Sequence, residues 1–343
     1  MVNKLFSMDI GIDLGTANII ITVGKKGVVL DEPSVVAYNK RTHQVMEVGE
    51  AAYRMIGRTP EYIVAIRPLK NGVISDSDMT QSMIHDFLRK VCGNFLFKPR
   101  VIICVPSFIT DVESRAVFEA ARSAGARKVY LIEEPIAALL GTGKDISEAR
   151  GNMIVDIGGG TTDVAVISMS GIVAAKSIRI AGNKFDEALI KYINKKHKIT
   201  IGEKTAEQAK MKIANVYDAV GKKKMVVRGR HLIEGLPSQV EITDIEVARA
   251  LKPVVSEIVA AIRSVMEQTP PELVGDIYDT GITLTGGGAL LNGLDRYIER
   301  EINAPCNIAE NPIECVVRGT SVAFNKIGEL RDGFEMISQY KYK

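Results

Sequence analysis

Asp13 and Asp156 each end an apolar, β-rich run, and each has a glycine turn just beyond it. The first lies in Met8-Asp-Ile-Gly-Ile-Asp13, followed by Leu14-Gly-Thr-Ala-Asn18 and a second apolar run from Ile19 to Val23. The second lies in Met153-Ile-Val-Asp156-Ile-Gly-Gly-Gly-Thr-Thr-Asp163, followed by Val164 to Ile167. Glycine lets backbone approach phosphate oxygens closely, and successive turn N–H groups make an anion-binding nest. Two such turns facing one another would bring the aspartates together across a cleft. There they could hold a hydrated divalent cation, Mg2+ being the ion that suits such oxygen donors, against the phosphates. A third turn, Gly286-Gly287-Gly288-Ala289, follows Leu284-Thr285 and is expected to open a helix whose N-terminus closes on the phosphate and nucleoside side. One glycine turn alone indicates only a tight turn. Three, each after a strand and two with a strand-end aspartate, point to a phosphate-ligand site.

The elements that must position these groups are legible in the same way. Two β-rich runs joined by a short Gly/Thr/Asn segment predict a hairpin. The near-repeat of that pattern predicts two related α/β halves, the second beginning near Gly151. From Asp76 to Val91, helical spacing puts Met79, Met83, Ile84, Phe87, Leu88 and Val91 on one face. Arg100 to Val105 reads as a buried strand. Thr110 with Glu113 spells a capping box for a helix that Gly125 can close. Thr243 with Glu246 spells another, leading a long helix that buries Leu251, Val254, Val255, Ile258, Val259 and Ile262 and ends at Pro270-Pro271. Pro253 is expected to kink that helix unless it falls in the first turn. No low-complexity linker intervenes, so the halves are expected to pack closely around a shared cleft.

Composition sets the bounds. A chain of 343 residues is long for one core and suits two domains of about 150 residues each. Hydrophobic residues at 46% and charged residues at 25% are what a soluble globular protein carries. With 44 basic against 41 acidic residues, the net charge of +3 lacks the basic excess of a dedicated nucleic-acid binder, and no nucleic-acid partner is expected. Cys92, Cys104, Cys306 and Cys315 form no C-x-x-C and no Cys/His cluster, which argues against a zinc site or a disulfide scaffold and for reduced thiols. No apolar run approaches the roughly 18 to 20 residues of a membrane span. Met1 to Met8 is too short for a signal peptide, so a cytoplasmic chain is expected, attached to a membrane at most peripherally.

The three glycine motifs resemble the phosphate and adenosine motifs of the actin, sugar-kinase and heat-shock chaperone ATPase superfamily. Further segments narrow the likeness. Asp31-Glu-Pro-Ser-Val-Val36, Ile66-Arg-Pro-Leu-Lys-Asn-Gly-Val-Ile74, Leu131-Ile-Glu-Glu-Pro135, Ile178-Arg-Ile-Ala-Gly182 and Thr269-Pro-Pro-Glu-Leu273 resemble the MreB family of bacterial actins. The likeness runs over nearly the whole chain without a large insertion. It implies an actin-like α/β fold: two related RNase H-like domains around a central nucleotide cleft, each with a smaller subdomain. The first domain is expected over residues 1–150 with its subdomain at about 33–80, the second over 151–343 with its subdomain at about 184–250. The implied function is that of an ATP-dependent cytoskeletal protein. It would polymerise into membrane-associated filaments of paired protofilaments that determine or maintain cell shape, with slow ATP hydrolysis to ADP. Two rivals share the fold: a small-molecule kinase, whose acceptor pocket usually needs large insertions, and a chaperone-type ATPase, which needs a peptide-binding domain beyond Lys343.

The resemblance also implies roles. Asp13 and Asp156 would organise Mg2+ through water. Thr16, Ala17 and Asn18 would touch phosphate from the first hairpin, and Gly158, Gly159, Gly160 and Thr161 from the second. Glu134 would orient the attacking water, with Thr161 hydrogen-bonding to it. Glu207 and Lys210, three residues apart on a helix, would face the ribose and base, and Gly286, Gly287, Gly288 and Ala289 would border the nucleotide from the third turn. Read from the residues alone, Glu134 has the alternative of an exposed carboxylate before Pro135. Glu207 and Lys210 have that of a solvated helical ion pair. Two departures stand out: Asn183 replaces an aspartate common in the family after Ile-Ala-Gly, and Lys222-Lys-Lys224 through Arg228-Gly-Arg230-His231 is unusually basic. A charge run of this kind reads as a solvated face.

Phe95, Leu96 and Phe97 follow Gly93 and are flanked by Lys90, Lys98 and Arg100. Bulky apolar residues in a basic loop can enter a bilayer interface, or they can lead into the buried strand. The resemblance favours the membrane, since family members attach through this region or through an N-terminal amphipathic helix. Here Val2, Leu5, Phe6 and Met8 make too short a segment for such a helix. Lys341 and Lys343, beside Tyr340 and Tyr342, add weak attraction to anionic lipid. The expected partners are other copies of the chain, the anionic inner face of the cytoplasmic membrane, and membrane proteins.

Overall fold

The computed structural model describes residues 8–70, 72–93, 98–107, 109–327 and 334–336. The first half opens with the hairpin β1 (Asp9–Leu14) and β2 (Asn18–Val23), continued by β3 (Val28–Pro33). A small lobe follows, made of β4 (Val36–Asn39), β5 (Val45–Val48), α1 (Glu50–Met55) and β6 (Ile63–Ile66). The ribbon β7 (Leu69–Lys70) and β8 (Val73–Ile74) leads back to α2 (Ser77–Cys92), β9 (Arg100–Val105), α3 (Asp111–Ser123), β10 (Lys128–Glu133) and α4 (Glu134–Gly141). The second half repeats the opening with β11 (Asn152–Ile157), β12 (Thr162–Ser168) and β13 (Gly171–Ile178). Its small lobe contains α5 (Gly182–His197), β14 (Ile199–Thr200), α6 (Glu203–Ile213), β15 (Lys224–His231) and β16 (Pro237–Thr243). The chain then runs through α7 (Asp244–Gln268), α8 (Pro271–Thr280), β17 (Ile282–Thr285), α9 (Leu294–Ile302), β18 (Cys306–Ile308), α10 (Cys315–Ala323) and β19 (Phe334–Met336).

The two large sheets share one plan. The first has the order β19-β10-β9-β1-β2-β3 and the second β13-β12-β11-β17-β18. In each, the strand that ends in the key aspartate is central, paired antiparallel to its hairpin partner and parallel to a later strand. Such parallel strands are covered on both faces, which is why they read as continuous apolar runs. Along β9 the side chains alternate between covers: Val101, Ile103 and Val105 pack toward α2 and α3, while Ile102 and Cys104 pack with α4. The α4–α10 pair lies in a core shared with Ile154, Ala165 and Ile167 of the second sheet, so it joins the halves. These helices approach so closely that a Cβ on Gly319 would lie 1.7 Å from the Ala137 carbonyl oxygen.

Two expectations are modified. The motif repeat marks the start of a second half at residue 151, but α10 packs on α4 and β1, and β19 pairs antiparallel with β10. The chain thus returns to the first half, which a repeat-based boundary has no means of seeing. Pro253 falls in the third turn of α7, yet α7 is continuous from Asp244 to Gln268. The proline is on the exposed side, where water can serve the carbonyl whose N–H partner it removes.

Both capping boxes form as spelled. The one on α7 is reinforced: Glu246 Oε1 accepts from Lys196 Nζ at 2.7 Å and lies 2.8 Å from His197 Nε2, both from the end of α5. Burial pushes the Glu246 carboxyl up, but Lys196, the Thr243 N–H and His197 together outweigh it and hold it at about 2. A depressed folded-state value stabilises above the ordinary glutamate range and is lost as pH falls toward 2. Glu246→Ala should therefore cost about 2 kcal/mol at neutral pH, measured by urea unfolding, and much less near pH 3. An equal cost at both pH values would show that packing, not charge, holds this corner.

Candidate functional site

Four carboxyl groups converge where the carboxyl ends of β1 and β11 face one another: Asp13, Asp156, Glu134 and Asp163. Register explains two of them. In the β11–β12 hairpin Asp156 pairs with Asp163, and on its other side Asp156 pairs with Thr285 of β17. The Thr285 hydroxyl donates to Asp156 Oδ1 at 2.7 Å. Glu134 is the first residue of α4, delivered by β10, with Pro135 pre-setting the first turn. It is only 8% exposed, so the alternative of a solvent-facing carboxylate does not hold.

The electrostatics follow from this crowding. Burial, then Asp156 and Asp31, push the Asp13 carboxyl up to about 8. Burial raises Asp156 to about 6 against the pull of the Thr285 hydroxyl. Burial and Asp156 raise Asp163 to about 7, although the Ser107 N–H, at 3.0 Å, and the Ser177 hydroxyl both favour its charge. Glu134 is pushed well above the usual range by burial, then by Asp163, Asp156 and Asp13, and Asp163 Oδ2 is buried without a hydrogen-bond partner among the described residues. Four acids repelling one another, three of them buried and Asp13 partly exposed, form a site that favours a positive partner.

The two glycine turns meet beside these acids. The second closes on itself through a Gly158 N–H to Thr161 carbonyl bond of 2.9 Å. The start of α5 grips it, Gly182 N–H donating to the Gly158 carbonyl at 3.1 Å and Asn183 N–H to the Gly159 carbonyl at 2.8 Å. A Cβ on Gly159 would lie 2.6 Å from the Ala17 methyl, so glycine is required where the turns touch. In the first turn the Thr16 hydroxyl accepts from Gly72 N–H at 2.9 Å, and Arg67 donates to the Ala17 carbonyl at 3.0 Å. The Asn18 amide is engaged by Asp31 at 2.7 Å. Thr161 is buried beside Gly72.

The third turn meets its expectation in part. Gly286 has φ +80°, and a Cβ there would lie 2.3 Å from the Ile157 carbonyl oxygen. The chain continues as a short 3-10 turn, Gly287–Leu290, and α9 begins only at Leu294. A short 3-10 helix with Gly286 as its N-cap opens here, rather than an α-helix, and its glycines fit against Ile157. The Ala289 side chain is buried in the second-half core, whereas Gly287 faces open space.

On the opposite wall, Glu207 and Lys210 do not pair with each other. Glu207 Oε2 accepts from the Tyr53 hydroxyl at 2.9 Å, and Lys210 Nζ contacts Asp186 Oδ1 at 2.9 Å and donates to the Gly182 carbonyl at 3.3 Å. The basic β15 strand does behave as a solvated face, with Lys224 paired to Glu241 at 2.9 Å and both about half exposed. Phe95, Leu96, Phe97, Lys341 and Lys343 lie outside the described residues. Of the charges flanking the first three, Lys90 bonds Glu32 at 2.9 Å and Arg100 bonds both oxygens of Asp9 at 2.7 and 2.6 Å, while Lys98 is exposed. Among the described residues no helix is long and apolar enough to cross a membrane.

Sequence reasoning missed Asp163, Ser107, Tyr53 and Arg67. Asp163 had a signal: a hairpin closed at Gly158 and Thr161 sets Asp163 opposite Asp156. The others had none, because their partners are far away in sequence. This arrangement of repeated sheets, glycine turns and buried acids has counterparts. The MreB/Mbl protein family matches residues 7–332. The chain belongs to the MreB/Mbl family. Within that family, the cell shape-determining protein Mbl of Bacillus subtilis is 50% identical over 327 residues, covering 95% of this chain and 98% of Mbl. MreB5 of Spiroplasma citri bound to AMPPNP superposes with a TM-score of 0.88 at 38% identity, covering 94% of this chain and 98% of MreB5. The MamK double helical filament subunit has a TM-score of 0.79 at 20% identity, covering 93% and 99%, which reflects the shared actin-like fold.

Proposed function

We propose that this chain binds Mg2+-ATP between its halves, hydrolyses it slowly, and polymerises into filaments at the inner face of the cytoplasmic membrane that determine or maintain cell shape. The observation that carries this reading is the set of four mutually repelling carboxyl groups, three of them buried, beside two touching glycine turns. The likeness to a cell shape-determining protein and to a nucleotide-bound MreB5 supports it. A kinase reading has less support, since the match to the cell shape-determining protein Mbl takes in 95% of this chain and 98% of Mbl.

Asp13 and Asp156 fit Mg2+ by the chemistry of their donors: hard, mutually repelling oxygens, Asp156 buried and Asp13 partly open to solvent. Among the described residues no cluster of three ligating side chains forms. Mg2+ usually keeps several waters and takes further ligands from phosphate. Bound there, the ion would neutralise charge on the phosphate oxygens. Within the chain, the turn N–H groups of 16–18 and 159–161 hold phosphate, the Gly158 N–H being taken by the Thr161 carbonyl. Glu134 orients water for in-line attack, assisted by the Thr161 hydroxyl. Light scattering after ATP addition, with phosphate release in parallel, tests the reading; neither signal in Mg2+ would refute it.

Membrane attachment rests on Phe95, Leu96 and Phe97. One Phe or Leu contributes roughly 1.5 to 3 kcal/mol when fully buried, less at an interface. A monomer should therefore bind liposomes weakly and a filament firmly, through repetition of the same patch. Replacing Phe95 and Leu96 with Ser should sharply reduce co-sedimentation of filaments with anionic liposomes while ATP turnover is unchanged. Removing Lys341 and Lys343 should cause a smaller, salt-sensitive loss, because each lysine adds only about 1 kcal/mol near anionic lipid. Undiminished binding by the Ser variant would place the docking surface elsewhere.

A further inference from the structure

The two small lobes meet across the cleft at Tyr53. Its hydroxyl, from α1 of the first lobe, donates to Glu207 Oε2 on α6 of the second at 2.9 Å. Lys204, one turn earlier on α6, sets its ammonium 3.9 Å from the centre of the Tyr53 ring and donates to the Tyr53 carbonyl. Arg67 lies 5.7 Å from the same ring centre and also holds the Ala17 carbonyl of the first glycine turn. The far end of α6 is anchored by Lys210, whose ammonium reaches Asp186 and the Gly182 carbonyl, and Gly182 in turn bonds Gly158 of the second glycine turn. A closed circuit results: first turn, Arg67, Tyr53, α6, Gly182, second turn.

A carboxylate has two oxygens. Tyr53 engages one on Glu207, and Oε1 is left for another donor. Vicinal ribose hydroxyls supply such donors, and a carboxylate fixed in orientation reads them better than a freely rotating one.

We propose that Tyr53 is the positioning residue of the nucleoside end: its hydroxyl fixes the Glu207 carboxylate for the ribose hydroxyls and holds the lobes closed over the bound nucleotide. This rests on the reading of the cleft as an ATP site with Glu207 at the ribose. Burial, and then the bond to Glu207, push the phenol up to about 12, so Tyr53 stays a donor across the physiological range. Closure and ribose recognition thereby become one event. An open cleft loses the Tyr53 bond and frees Glu207 to rotate, so release of nucleotide requires breaking the contact.

The test uses the full chain and three variants, Tyr53→Phe, Glu207→Gln and the double. Tyr53→Phe keeps the ring, and with it the Lys204 contact; a thermal melt checks that folding is intact. Two quantities are read: the dissociation rate of a fluorescent ATP analogue, and the affinity ratio of ATP over 3′-deoxy-ATP. Tyr53→Phe should speed dissociation by about tenfold, the scale of a hydrogen bond to a charged group. It should also bring the ATP to 3′-deoxy-ATP ratio most of the way to that of Glu207→Gln. The double variant should be no worse than Glu207→Gln in that ratio, because the amide keeps a single acceptor oxygen that cannot serve both Tyr53 and the ribose, so the two changes act on one coupled interaction. Faster release with an unchanged ratio would reduce Tyr53 to a tether and overturn the positioning role. Parent-like values in Tyr53→Phe, with Glu207→Gln impaired, would overturn the proposal and leave the ATP site standing. Parent-like values in Glu207→Gln as well would remove Glu207 from the ribose site, a different failure.

Discussion

Glu134→Gln is expected to bind ATP as the parent does and to release phosphate at least ten times more slowly. The substitution preserves volume, so the buried wall of the site stays packed. What it loses is the carboxylate that can accept a hydrogen bond from water and the proton that follows. General-base assistance of this kind contributes on the order of a hundredfold or more, and the turns at 16–18 and 158–161 that we propose hold phosphate are untouched. Removing one of four mutually repelling acids also relieves destabilisation, so the variant should melt higher than the parent at pH 8. Filaments should form with ATP and persist longer, since the trigger for their turnover is slowed. Single-turnover phosphate release and light scattering on the same sample decide it. Parent-rate hydrolysis would mean that another group orients the water, and Asp163 would be the next to replace.

Much of this site could be read from sequence because it is built from local signals. A strand-end aspartate with glycines behind it is a pattern within ten residues, and its repetition gave both halves, both turns and the pair Asp13 and Asp156. The capping boxes at Thr110 and Thr243 are equally local and form as spelled. Whatever depends on chain return was not legible. The helix α10 sits against α4 because Gly319 admits the Ala137 carbonyl, a contact between residues that no periodicity relates. Tyr53 looks like an ordinary small-lobe aromatic until α6 of the other lobe is brought to it. The third glycine turn is a partial case: its glycines fit against Ile157, and the helix that opens there is one short 3-10 turn, with the α-helix delayed to Leu294. Burial of Glu134 was the decisive fact that sequence left open. Pro135 fixes where the helix starts, whereas the opposing Asp163 comes from the other half of the molecule.

The nucleotide-free protein should lose stability as pH rises from about 5 to 8, and Asp13→Asn should remove much of that loss while sharply weakening Mg2+-ATP. The sign comes from proton counting. Asp13, Asp163 and Asp156 stand at about 8, 7 and 6 in the folded chain, against about 4 for an unfolded aspartate. Between those limits the folded state binds more protons than the unfolded state, so unfolding free energy falls with rising pH. Asp13 has the largest of these three printed shifts, with burial as its first cause and Asp156 as its second. An asparagine there needs no charge in that setting, and it lowers the repulsion on Asp156 and Glu134 as well. The melting temperature of Asp13→Asn should therefore exceed the parent's by roughly 5 °C at pH 8 and match it near pH 5. Binding should move the other way. With one of two anionic cation partners gone, Mg2+-ATP affinity should fall about a hundredfold, and the metal-free nucleotide should be affected far less. Melting curves at four pH values, with and without Mg2+-ATP, read both effects on one instrument. A variant that melts like the parent at every pH would mean that Asp13 carries no repulsion in the folded chain. A variant that is stabilised but still binds Mg2+-ATP at parent strength would leave the cation to Asp156 alone.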